Sequence, residues 1–225
     1  MKIIEDALKR GAKTLSEFDS KKFLSKYGVN VTKETVVSKE NDAVSAAQEM
    51  GYPVVLKGSG EELAHKTELD LIALNLRDEK EVREAFKRLT STPKAEVKEV
   101  LVQQMIKGDR ELVVGLTRDA QFGPCVMFGL GGIFTEILED VAFRVAPLTK
   151  WDAMDMMKDF RAHKILDEFR GQPAVNQEVL ADILIAIGNI GMEQEKVKEI
   201  DINPLKITAD GKPIAVDALV VLDSE

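Results

Sequence analysis

Helix-like and strand-like stretches alternate along all 225 residues, and this alternation constrains the fold more than any single motif. It favours an α/β or α+β architecture. Ser16 to Tyr27 opens with a capping Ser16, carries Phe23, Leu24 and Tyr27 at helical spacing, and stops at Gly28. Glu40 to Met50 repeats Ala43, Val44, Ala47 and Met50 before Gly51. Pro53 to Lys57 then reads as a short buried strand with a polar tip, followed by Gly58-Ser59-Gly60. Ile72 to Leu76 is a second strand, and Glu79 to Leu89 sets Val82, Ala85, Phe86 and Leu89 on one helical face.

The second half is richer in strands. Val97 to Met105, Leu112 to Leu116 and Val126 to Phe128 are β-like runs separated by turns at Lys107-Gly108-Asp109 and Phe122-Gly123-Pro124. Trp151 to Lys158 and Asn176 to Gln194 read as helices. Val197 to Asn203 and Ile214 to Leu222 are final strands flanking a turn that contains Asp210-Gly211. These elements predict an N-terminal helical segment over 1–19 and lobes over 20–100 and 101–225. With no long linker, the lobes are expected to pack closely and leave a cleft.

Charge narrows the function classes. Acidic residues number 39 against 31 basic ones, a net charge of −8. That balance argues against a general nucleic-acid binder, while a nucleotide bound with Mg²⁺ wants carboxylates. Aromatic residues make up 5% of the chain, too few for base-stacking platforms. Cys125 is the single cysteine, so no disulfide framework or cysteine metal site is expected. The charged start of the chain does not read as a signal peptide, and no apolar run approaches the ~18–20 residues of a membrane span. A cytoplasmic protein with neither membrane nor nucleic-acid partner is the expectation.

Four segments could carry chemistry. In Glu199-Ile200-Asp201-Ile202-Asn203, period two puts three polar side chains on one face and both isoleucines on the other. Its partner run is apolar except for Asp217, a carboxylate that needs a cationic neighbour. An odd-numbered loop, such as a three-residue one, sets Asn203 opposite Asp217; a two-residue turn sets them on opposite faces. Asp and Asn oxygens with room for water and phosphate suit Mg²⁺. Gly129-Leu130-Gly131-Gly132 can turn backbone N–H groups toward an anion or can be a tight strand-to-helix turn. Lys57, at the end of a hydrophobic strand before a glycine-rich loop, could set an ammonium on a phosphate. His65 lies in a polar segment, where a histidine can be a nucleophile that carries a covalent intermediate or can be inert; His163, flanked by basic residues, is given no role.

Together these segments resemble one family. Gly51 to Lys57, His65-Lys66-Thr67-Glu68, Leu101 to Met105, Arg110 to Gly115, Gln121 through Gly132, and Glu199 to Leu205 follow the order of the ATP-grasp domain in ADP-forming acyl-CoA synthetases. Over essentially its whole length the chain is similar to the free-standing β subunits of the acetyl-CoA enzymes, relatives of the succinyl-CoA synthetase β subunit. The resemblance implies an ATP-grasp fold with two lobes around a nucleotide cleft, cofactors ATP/ADP and Mg²⁺, and a phosphohistidine relay. It implies that Lys57 holds nucleotide phosphates and that Gln104, Met105 and Ile106 form an adenine-contacting hinge. Glu111 is implied in the nucleotide pocket, Gly131 and Gly132 on phosphate, and Asn203 and Asp217 as Mg²⁺ ligands. Asp201 is implied to orient a phosphohistidine, and His65 to relay the phosphoryl group.

The implied reaction is acyl-CoA + ADP + phosphate giving carboxylic acid + CoA + ATP, reversibly, with a CoA-binding α subunit as partner in an α2β2 hetero-oligomer. Gln104 stands where the family often has Glu, and Asp70 where a Gly is frequent. The rival readings are a self-sufficient ATP-grasp carboxylate ligase and a nucleotide-sensing module without chemistry.

Overall fold

The computed structural model describes residues 1–60, 71–93, 95–132, 140–169 and 171–223. They divide into two compact units. The smaller comprises Ser16–Phe18 and Thr32–Ile106; the larger comprises Met1–Leu15, Asp19–Val31 and Lys107–Glu225. Residues 19–31, assigned from the sequence to the N-terminal segment and first lobe, thus pack with the larger unit.

The smaller unit is a four-stranded antiparallel sheet with two helices. Strands β1 (Glu34–Val37), β2 (Val54–Ser59), β3 (Ile72–Leu76) and β4 (Glu99–Gln104) lie in the order β1-β4-β2-β3. Helices α3 (Glu40–Met50) and α4 (Glu79–Thr90) supply Ala43, Val44, Ala47, Val82, Phe86 and Leu89 to a core with Val54, Leu56, Val100 and Val102. The Asp78 side chain accepts from the Glu81 N–H and so caps the start of α4, where an anionic oxygen also meets the helix dipole.

The larger unit is a six-stranded antiparallel sheet. Its strands are β5 (Glu111–Asp119), β6 (Gly123–Leu130), β7 (Val141–Val145), β8 (Val197–Ile207), β9 (Pro213–Ala215) and β10 (Leu219–Leu222). The order is β10-β8-β5-β6-β7, with β9 also paired to β8. Helices α5 (Lys150–Asp159) and α6 (Gln177–Glu193) bury Met156, Ile183, Ile187 and Ile190 against Val114, Val126, Phe128 and Ile202. Arg118 fixes the end of α6: its guanidinium donates to the carbonyls of Gly191, Gln194 and Val197 at 2.7–2.9 Å.

The N-terminal helices α1 (Lys2–Lys9) and α2 (Glu17–Ser25) are followed by 26–31. Backbone bonds explain why most of this stretch joins the larger unit. Leu15 N–H donates to Val220 O, the Leu222 N–H to Lys13 O, and the Ala215 N–H to Asn30 O. These contacts satisfy backbone groups that the edge of the sheet would otherwise leave open. Among the described residues no helix is long and apolar enough to cross a membrane.

Candidate functional site

The site in the larger unit is built on an irregularity in β8. Ile202 pairs with Val114 and Leu205 with Leu112, so Asn203 and Pro204 together oppose Val113. One extra residue bends the strand and reverses which residues point to the core. Ile200 and Ile202 are buried before the bulge, Leu205 and Ile207 after it. A proline sits well at such a position because it has no N–H to give to the ladder. The bulge leaves Asn203 facing the glycine turn after β6, where its Oδ1 accepts from Gly132 N–H at 2.9 Å.

The hairpin register settles the choice that the sequence leaves open. Leu205 faces Ala215, Ile207 faces Pro213, and Leu219 faces Asp201. Gly211 N–H donates to Thr208 O and Thr208 N–H to Lys212 O, closing a three-residue loop. The same register sets position 217 across from 203. The final run is nonetheless two short strands rather than one continuous strand, because residues 216–218 leave the ladder around Asp217. The Lys21 ammonium, fully buried, donates to the carbonyl of Val216, next to Asp217.

Asp201 carries the strongest electrostatic mark. Burial pushes its carboxyl up from 3.8 to about 6, and the negative charges of Asp217 and Glu199 add to the rise. Negative charge is therefore concentrated on this face of β8, where a positive ligand would be favoured. Among the described residues no group of three His, Cys, Asp or Glu is placed to hold a metal ion. Asn203 and Asp217 can supply two oxygen ligands, and Asn203 Oδ1 keeps a lone pair beyond its bond to Gly132. That donor set fits Mg²⁺, which retains water and takes phosphate oxygens as further ligands.

The glycines hold the turn tightly against the start of β5. Gly131 N–H donates to Glu111 O at 2.9 Å. A Cβ at Gly131 would overlap the Leu112 carbonyl oxygen and lie 2.5 Å from its carbon. Gly132 has a φ of +65°, and a Cβ there would overlap Glu111 Oε2. Glu111 in turn pairs with Lys206 across the ladder, Oε1 to Nζ 2.9 Å, and Lys206 also donates to Gly108 O. Asn203, Gly131, Gly132 and Glu111 are thus brought together. Lys206, which sequence reasoning did not single out, completes the group.

In the smaller unit, Lys57 points its ammonium into a buried ion pair with Glu17 at 2.7 Å. Nothing in the sequence signals this partner, 40 positions away in the first turn of α2. Gln104 ends β4, its N–H bonded to Lys33 O, and Met105 and Ile106 follow outside the strand. The chain passes from the smaller to the larger unit immediately after Ile106. His65 lies outside the described residues. His163 begins a 3₁₀ turn and sets Nδ1 3.2 Å from Phe160 O.

Two further charged residues were not anticipated. Asp140, buried, accepts from Arg161 N–H and Ala162 N–H at 2.7 and 2.8 Å and so caps the segment after α5. Arg110, also buried, donates to the carbonyls of Ile165, Asp167 and Pro173 and ties that segment to the residue preceding Glu111.

A family model described as an ATP-grasp domain matches residues 6–222. The β subunit of acetate–CoA ligase (ADP-forming) I from Pyrococcus furiosus is 43% identical over 225 residues, covering 98% of this chain and 96% of that one. Dinucleotide forming acetyl-coenzyme A synthetase 1 of Ca. Korarchaeum cryptofilum, solved with coenzyme A, Ca-AMPCP and HgCl⁺, aligns at a TM-score of 0.94 and 41% identity over 99% of both chains. In a second structure of that enzyme, with coenzyme A and Mg-AMPPCP, the phosphohistidine segment points towards the nucleotide binding site. It aligns at a TM-score of 0.87 and 40% identity over 99% of both chains.

Proposed function

This chain belongs to the ATP-grasp domain family as the β subunit of an ADP-forming acyl-CoA ligase, and from that premise we propose how its residues share the work. The reaction is acyl-CoA + ADP + phosphate to acid + CoA + ATP, in either direction. The β-subunit relative implies a separate α partner, which we assign the CoA-binding half of an α2β2 assembly.

The observation that carries the assignment is the cluster around the β8 bulge. Asn203 is held by Gly132 N–H, and Gly131 by the backbone of Glu111. Phosphoryl transfer needs positioning and charge neutralisation more than acid–base power. The Lys57 ammonium serves the nucleotide phosphates, and the turn at Gly131 and Gly132, whose own N–H groups are given to Glu111 O and Asn203 Oδ1, is the side-chain-free surface against which they lie. Gln104, Met105, Ile106 and Glu111 serve the nucleoside. Asn203 and Asp217 would hold Mg²⁺, which when bound neutralises phosphate charge. Asp201 accepts a hydrogen bond from an imidazole N–H and fixes the tautomer that leaves the other ring nitrogen able to carry phosphate. His65 is assigned the relay on the strength of the family resemblance.

Titration of the full chain with ADP–Mg²⁺ tests the nucleotide roles, with Asn203→Ala and His65→Ala as variants. The relay reading expects the first to lose binding and the second to keep it while abolishing phosphoryl transfer. Turnover of ATP and carboxylic acid by the chain alone would instead establish a self-sufficient ligase.

A further inference from the structure

We propose that Glu17 is a positioning residue for the reaction, acting through Lys57. The inference rests on the assignment of Lys57 to the nucleotide phosphates. Glu17 Oε1 lies 2.7 Å from Lys57 Nζ, and the two side chains are 3% and 5% exposed. Such a pair differs in kind from the surface ion pairs of this unit, such as Lys80–Glu84 on α4, with side chains 83% and 68% exposed. An exposed pair is screened and worth little, whereas a buried ammonium depends on its counter-charge to stay protonated and in one place.

The surroundings of Lys57 sharpen the point. It is an interior residue of β2, opposite Leu101 on one side and Ile72 on the other. A long flexible side chain there has many rotamers and strongly apolar cross-strand neighbours. Glu17 comes from a different part of the chain, and the two residues on either side of it belong with it to the smaller unit while the rest of α2 belongs to the larger. The chain thus brings in three residues at the first turn of α2, one of which carries the carboxylate that meets Lys57. Glu17 is placed to hold the ammonium charged and aimed before a nucleoside di- or triphosphate arrives, which reduces the ordering that binding must supply.

A double-mutant cycle on the full chain tests this, with ADP–Mg²⁺ affinity read by titration calorimetry and folding checked by circular dichroism. Glu17→Gln keeps the shape and removes the charge; Lys57→Met keeps the stem and removes the ammonium. Glu17→Gln is expected to weaken ADP about tenfold in the native background and less than twofold in the Lys57→Met background. Glu17→Asp, which restores the charge on a shorter arm, is expected to recover part of the affinity. Equal losses from Glu17→Gln in both backgrounds would overturn the proposal, since Glu17 would then act independently of Lys57. Unchanged ADP affinity in Lys57→Met would refute the phosphate role of Lys57 itself. If Glu17→Gln does not fold alone, the Glu17→Gln/Lys57→Met pair, which removes both charges of the ion pair together, supplies the comparison against Lys57→Met. An affinity there more than twofold below Lys57→Met counts against the proposal.

Discussion

Gly131→Ala isolates the demand that the glycine turn after β6 makes on its backbone. A Cβ at this position would lie 2.5 Å from the Leu112 carbonyl carbon and 2.9 Å from its nitrogen, and would overlap its oxygen. These atoms belong to a strand paired on both sides, so they cannot move aside as a side-chain tip could. Overpacking of this kind costs about 1–3 kcal/mol. Displacing the turn also strains two hydrogen bonds of 2.9 Å, Gly131 N–H to Glu111 O and Gly132 N–H to Asn203 Oδ1. Each contributes about 0.5–1.5 kcal/mol, for a total of about 2–6 kcal/mol. In a chain of this length the loss corresponds to a fall in Tm of roughly 5–15 °C.

The comparison is Gly123→Ala, at a φ of +76° with no atom within 4 Å of the added carbon. There only the left-handed backbone penalises the substitution, by about 1–2 kcal/mol. Differential scanning calorimetry of both variants should place Gly131→Ala clearly below Gly123→Ala. Gly131→Ala should also weaken ADP–Mg²⁺ binding, which Gly123→Ala should leave unchanged. Equal melting temperatures, or Gly123→Ala melting lower, would refute the steric argument.

Other outcomes follow from the same contacts. Asp201 has a folded pKa of about 6 against an ordinary 3.8, so its contribution to stability is full below about pH 4 and lost as pH rises through 6. With chelator present, Asp201→Asn should gain on the native protein by up to about 3 kcal/mol between pH 4 and pH 7, and a pH-independent difference in chemical denaturation would count against the raised carboxyl. Asn203→Ala leaves the Gly132 N–H without its acceptor and should cost about 1–3 kcal/mol by urea denaturation, together with a loss of Mg²⁺-dependent ADP affinity. Arg118→Met removes donors from three carbonyls at the end of α6 and should cost about 2–4 kcal/mol while leaving the KM for ADP unchanged.

What could be read before the structure follows the range of the interactions. Strand β3 and helix α4 are determined by periodicity and local caps, and the structure places them at Ile72–Leu76 and Glu79–Thr90, against the expected 72–76 and 79–89. The alternation of Ile200 and Ile202 with Asp201 was also legible, because period two is a local property. The bulge at Asn203 was not, since it exists only relative to Val113 on another strand. Asp217 illustrates the same limit: its polarity within an apolar run was visible, but the interruption of the strand at 216–218 was not. Glu17, Arg110 and Arg118 look like ordinary surface charges in sequence. Their partners lie 40 to 79 positions away and are set by chain topology alone.

The central claim is that this chain passes a phosphoryl group between a partner subunit and a nucleotide. The most direct measurement is single-turnover transfer from an α subunit labelled with ³²P through acyl-CoA and labelled phosphate. Adding the chain with ADP and Mg²⁺ should move the label to ATP, and Asn203→Ala should block the transfer. Label that remains on the α subunit with the native chain present, or that reaches ADP equally well without it, would contradict the account.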